Sequence, residues 1–221
     1  MASSSSNKRY WLNWTIACGM GEFLGIGVAA GIAFLHIHFL GEPQSIGQRL
    51  LVIVVMVLAG IIEGLVVGSF QWSVLRRKFA NMKVKSWLIV TTLGAATAWL
   101  LGMLPSTFFA PEPATASSES LEFSGAQFAL LAVLSGIVLG ALFGAFQWVE
   151  LRKHALNASR WILANLLGWT VGLTIIYLGA SAPLAETGLA AVIIIGTISG
   201  LLAGLSVGAI TGLFLVKLKS A

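Results

Sequence analysis

The chain alternates long apolar runs with short polar connections. Six runs stand out, at about 10–36, 50–74, 87–104, 127–149, 161–180 and 188–216, each broken only by Gly, Ser, Thr or an isolated polar residue. A helix needs about 20 apolar residues to cross a hydrocarbon core roughly 30 Å thick. A soluble core helix carries a polar face, and these segments have none. The pattern predicts an all-α integral membrane protein with six transmembrane helices, forming one transmembrane domain over residues 1–221.

Glycine and tryptophan positions subdivide this pattern. The stretch "AGIIEGLVVGSFQWSVLRRK" beginning at Ala59 returns as "SGIVLGALFGAFQWVELRKH" from Ser135, and more loosely as "SGLLAGLSVGAITGLFLVKL" from Ser199. Gly60, Gly64 and Gly68 thus recur as Gly136, Gly140 and Gly144, and again as Gly200, Gly204 and Gly208. The odd-numbered spans each open on a Trp, at Trp11, Trp87 and Trp161, and the interval from Trp11 to Gly60 equals that from Trp87 to Gly136. Self-similarity at this period signals a repeat architecture. The expectation is three tandem helical hairpins, at about 10–78, 87–153 and 161–218, in a pseudo-threefold arrangement. The small-xxx-small rows lets helix backbones approach closely, and they are expected to place the even-numbered helices nearest the axis. The Pro-, Ser- and Glu-rich segment at 105–127 reads as a mobile outer loop.

Composition and charge agree with this picture and remove one alternative. Apolar residues make up 57% of the chain, charged residues 10%, and Asp does not occur. A net charge of +5 invites a nucleic-acid reading, but its distribution argues against one. Lys8, Arg9, Arg76, Arg77, Lys78, Lys83, Lys85, Arg152, Lys153, Arg160, Lys217 and Lys219 all fall at one end of the spans, and only Arg49 falls at the other. Glu42, Glu112, Glu119, Glu122 and Glu186 lie on the Arg49 side. By the positive-inside rule both termini are cytoplasmic, in a bacterial cytoplasmic membrane or an internal membrane. Membrane lipids, and other subunits of a membrane complex, are the expected partners. The Lys8–Arg9 pair before an apolar run resembles a leader, but the run exceeds signal-peptide length, and an uncleaved first helix is expected.

The polar residues inside the spans carry the candidate chemistry. Thr15, Thr91 and Asn165 lie one turn inward from the opening Trp residues, level with Gln71, Gln147 and Thr211 on the even-numbered spans. Polar side chains at one depth in a membrane need partners, so these six predict a hydrogen-bonded layer that pins the hairpins together. Trp72 and Trp148, with Trp11, Trp87 and Trp161, read as an aromatic belt at the interface. Glu22 and Glu63 belong to the first hairpin alone. They lie about 16 and 14 Å inward from Trp11 and Trp72 at the helical rise per residue, close to the midplane. An ionised acid there is costly, and intramembrane acids are functional candidates by default. Cys18, one turn before Glu22, shares its side. Proton or cation handling and a purely structural protonated pair both remain open for Glu22 and Glu63. His36 and His38 are two residues apart on one helix, not at the one-turn spacing of helical metal pairs; no metal site is expected and no cofactor is indicated. With no HExxH, GxSxG, Walker loop or CxxC pair, no enzyme is expected.

The pattern Gly64-x3-Gly68-x2-Gln71-Trp72-x2-Leu75-Arg76, repeated from Gly140 to Arg152 and followed each time by a Trp-initiated span, resembles that of uncharacterised multi-pass bacterial membrane proteins built from such hairpins. The resemblance covers nearly the whole chain, with Ile210, Thr211 and Gly212 standing where the first two copies have Phe, Gln and Trp. It implies no activity or site. Two functions follow from the residues: a non-enzymatic scaffold or accessory subunit in a membrane complex, binding through its Gly-rich faces, or a small proton- or cation-linked transporter or channel using Glu22 and Glu63. The first is favoured, because the chain has little polar surface to line a path. A hydrated route to both carboxyls favours the second.

Overall fold

A computed structural model describes residues 2–41, 43–108, 125–180 and 188–221. The described chain is helical almost throughout: α1 (Ala2–Leu40), α2 (Ile46–Leu75), α3 (Val84–Phe108), α4 (Gly125–Leu151), α5 (Arg160–Ala180) and α6 (Leu189–Leu215). All six helices are long and apolar enough to cross a membrane. Several overrun their apolar cores. Ser45 caps α2 through a capping box with Gln48, each side chain bonding the other's backbone N–H, which satisfies donors the first turn leaves unpaired. Helix α3 continues through Pro105, in its last turn. The loop expected at 105–127 therefore begins and ends in helix, and its middle, with the acidic residues Glu112, Glu119 and Glu122, lies outside the described residues, as do Glu42 and Glu186.

Each helix packs against its neighbours in sequence, and α6 returns to α1, so the contacts run in a closed ring. The glycine rows explain the closest of them. Gly64 meets Thr92 and Ala95 of α3; Gly140 meets Asn165 and Trp169 of α5; Gly204 meets Cys18 and Glu22 of α1. Each row is turned towards an odd-numbered helix, α3, α5 or α1, and not towards the other rows. The missing side chains serve the α2–α3, α4–α5 and α6–α1 contacts.

The end that carries both termini is the more tightly packed. Leu75, Leu151 and Leu215 are fully buried there with Trp14, Trp87 and Trp161. Trp87 and Trp161 do not sit in an interfacial belt; both are 0% exposed. The cause is the short connections, which fold back beneath the helix ends and contribute Phe79, Met82, Ala155 and Ala158 to the same cluster, with Leu218 from the segment after α6. Trp72 and Trp148 are half-buried, with Arg76 and Arg152 stacked over their rings at 5.1 and 4.7 Å. The Trp-x2-Leu-Arg repeat is thus a one-turn cation–π pair beside a core leucine.

Two strands of two residues complete this end. β1 (Ala155–Leu156) pairs antiparallel with β2 (Lys219–Ser220), and the Ala221 N–H donates to the His154 carbonyl at 2.9 Å. Asn157, at φ 55°, turns the chain from β1 towards α5, a left-handed conformation Asn tolerates better than most residues. Lys78 reaches across from the α2–α3 connection and donates to the carbonyls of Leu215 and Val216 at 2.7 and 3.1 Å, neutralising the unpaired acceptors at the end of α6. Outside, the helices present apolar side chains on every side, among them Ile16, Val54, Leu93, Val138, Leu167 and Leu202.

Candidate functional site

The polar residues form two connected groups. Nearer the termini, Gln147 of α4 is the hub. Its Nε2 donates to Gln71 Oε1 of α2 at 2.9 Å and to Thr91 Oγ1 of α3 at 3.2 Å, while its Oε1 accepts from Trp161 Nε1 of α5 at 2.9 Å. Gln71 Nε2 passes the chain on to Cys18 Sγ of α1 at 3.7 Å. Trp14 Nε1 donates to Thr211 Oγ1 at 2.8 Å, joining α1 to α6, and the Trp14 and Trp161 rings meet edge to face. The structure therefore brings Gln71, Thr91 and Gln147 into one network and gives Thr211 a separate partner. Thr15 and Asn165 share the depth and the burial but bond only the carbonyls of Trp11 and Trp161, one turn back on their own helices. Trp14 and Trp161 are the members that sequence position concealed.

The second group is the acid pair. Glu22 of α1 and Glu63 of α2 are 2% and 6% exposed, on two helices packed against each other. Small residues make room for both side chains. A methyl group on Gly25 would fall 2.6 Å from Glu63 Cγ, and one on Gly204 of α6 would fall 2.7 Å from Glu22 Cβ. Trp99 Nε1 of α3 donates to Glu63 Oε2 at 2.7 Å. Glu22 Oε2 is buried without a partner among the described residues. Among the described residues neither carboxyl has a Lys, Arg or His in ion-pair contact, whereas Glu150 pairs with Lys153 and His154. Cys18, which accepts from Gln71 Nε2, lies one turn from Glu22 on α1.

Two cavities lie beside the pair, in the half of the bundle away from the termini. The larger, about 370 Å³, has Glu63 in its wall together with Trp99, Phe143, Trp169 and Tyr177. The smaller, about 190 Å³, shares Ile26, Trp99, Ile176 and Ala180 with it. Glu22 lines neither. His36 and His38 lie at the far end of α1, where His38 stacks on Phe34. No group of metal-ligating side chains forms among the described residues.

No family model, no curated protein and no solved structure matches the chain. The geometry therefore carries the functional argument by itself. It contains one partner the sequence reasoning missed, Trp99, and a signal for it existed. A Trp in mid-span, away from the interface where Trp normally sits, needs an acceptor for its N–H, and a Glu on a neighbouring helix supplies one.

Proposed function

We propose that this chain is a non-enzymatic integral membrane protein that serves as a scaffold or accessory subunit within a membrane complex. One observation carries the preference. In the half nearest the termini, the Gln71–Thr91–Gln147–Trp161 network and the Trp14–Trp161 contact tie the helices to one another with their own polar side chains. The apolar exterior remains for lipid and for partner helices. The glycine rows are occupied within the bundle, so docking falls to the outward aliphatic faces and not to the Gly-rich ones. Purification in mild detergent from the native membrane tests this: a stoichiometric companion protein is expected, and a clean monomer overturns it.

The arrangement proposed is three hairpins about a pseudo-threefold axis. It draws support from Leu75, Leu151 and Leu215, which occupy equivalent repeat positions and are all 0% exposed, and from glycine rows that face the next hairpin in cyclic order. The orientation proposed, with both termini cytoplasmic, rests on the basic residues gathered at that end. A second reading, a proton- or cation-linked transporter, is favoured by Glu63 standing in a cavity wall. Proton or cation flux in proteoliposomes, abolished by Glu63→Gln, separates it from the first.

A further inference from the structure

The larger cavity combines features that ordinary helix packing does not require. Its volume of about 370 Å³ falls in the range of about 300–1,000 Å³ typical of small-molecule sites. Its wall is apolar and rich in aromatic rings, yet it includes one carboxyl, that of Glu63. Trp99, Phe143, Trp169 and Tyr177 stand round the same space, with Phe143 and Trp169 edge to face at 5.7 Å. Aromatic faces attract cations through the ring quadrupole, and the attraction strengthens when the cation is desolvated.

The electrostatics of the acid pair point to the same ligand class. Among the described residues, neither Glu22 nor Glu63 has a Lys, Arg or His in ion-pair contact. An ionised Glu63 would place one negative charge at the cavity wall. The groups packed round the pair supply no compensating cation: Gly25 and Cys18 on α1, Trp99 on α3 and Gly204 on α6 are all neutral. Trp99 donates one hydrogen bond, and Glu22 Oε2 has no partner among the described residues. A buried charge without a counter-ion is costly. An incoming cation would remove that cost, whereas an anion would add to it. A strongly hydrated inorganic ion, in turn, would find few oxygen ligands in this wall.

We propose that the cavity is a binding site for lipophilic organic cations, with the charged centre beside Glu63 and the aromatic rings, and the hydrocarbon part along Leu139, Leu173 and Ile176. This holds whether the bound cation is carried across the membrane or retained in a complex.

The experiment is equilibrium binding of tetraphenylphosphonium to the full-length chain in detergent, with tetraphenylborate as an anion of matching shape. The cation is expected to bind at least tenfold more tightly than the anion. Glu63→Gln, which keeps the shape and an acceptor for Trp99, is expected to weaken cation binding at least tenfold. Ala98→Phe, which adds bulk to the cavity wall and leaves the acids untouched, is expected to abolish it. Thermal unfolding of each variant establishes that it folds. Equal binding of the two probes, no binding of either, or unchanged cation affinity in the folded Glu63→Gln and Ala98→Phe proteins would each overturn the proposal.

Discussion

At the scale of single residues, Gln147 does more than its counterpart Gln71, although the two occupy equivalent places in the repeat. Gln147 has partners on three other helices; Gln71 accepts from Gln147 and gives a long bond to sulfur. Replacing Gln147 with Met, similar in length and unable to donate, leaves the Trp161 N–H and the Gln71 carbonyl buried without partners. An unsatisfied buried group costs about 1–3 kcal/mol, and membrane hydrogen bonds average towards the low end of that range. Gln147→Met is therefore expected to lower thermal stability in detergent by about 1–3 kcal/mol, and Gln71→Met by less. A larger loss from Gln71→Met would show that the hub has been placed on the wrong residue. This inequality is not legible in the repeat itself. Sequence alignment makes the two Gln equivalent, and only the third copy, with Thr211 in that position, hints that the layer cannot be symmetric.

At the scale of elements, the glycine rows make a graded prediction. A methyl group on Gly140 would lie 2.7 Å from the Asn165 carbonyl oxygen and 2.7 Å from Trp169 Cβ, whereas one on Gly31 meets nothing within 4 Å. Gly140→Ala forces α4 and α5 apart and is expected to destabilise by about 1–3 kcal/mol, as overpacking does. Gly31→Ala gains helix propensity, worth up to about 1 kcal/mol, and is expected to be neutral or stabilising. Melting temperatures of both variants in one detergent check the contrast, and a Gly140→Ala protein as stable as the parent would contradict the packing described. The helices and their number were readable from the apolar runs, because a membrane span leaves so strong a compositional mark. The facing of the glycine rows was not: periodicity fixes which residues share a helix face but not which neighbour that face meets. The same gap hid the burial of Trp87 and Trp161, whose places at span ends match an interfacial belt. What covers them is a pair of short connections and the β1–β2 ladder. Two-residue strands of Ala-Leu and Lys-Ser leave no alternating pattern to find.

At the scale of the molecule, the distribution of charge fixes a testable sidedness. In right-side-out membranes, with Cys18→Ser as background, an impermeant maleimide is expected to label Ser45→Cys. Ser159→Cys and Ser220→Cys, both exposed at the opposite end, should label only in inverted vesicles. The reverse pattern would turn the protein over. The acid pair was legible at this scale too, since Glu22 and Glu63 are level on adjacent spans, while the cavity beside them depends on side chains from α1 to α5 that no local pattern groups. The ring of contacts has a further consequence, in the order of synthesis. A ribosome delivers α1 first and α6 last of the six, yet these two helices are partners: Gly200, Gly204 and Gly208 of α6 lie against Thr15, Cys18, Glu22 and Ile26. Throughout synthesis, α1 therefore holds a carboxyl, a thiol and a hydroxyl on a face whose permanent cover has not yet been made. Assembly of this protein is a matter of keeping the first helix in waiting for the last.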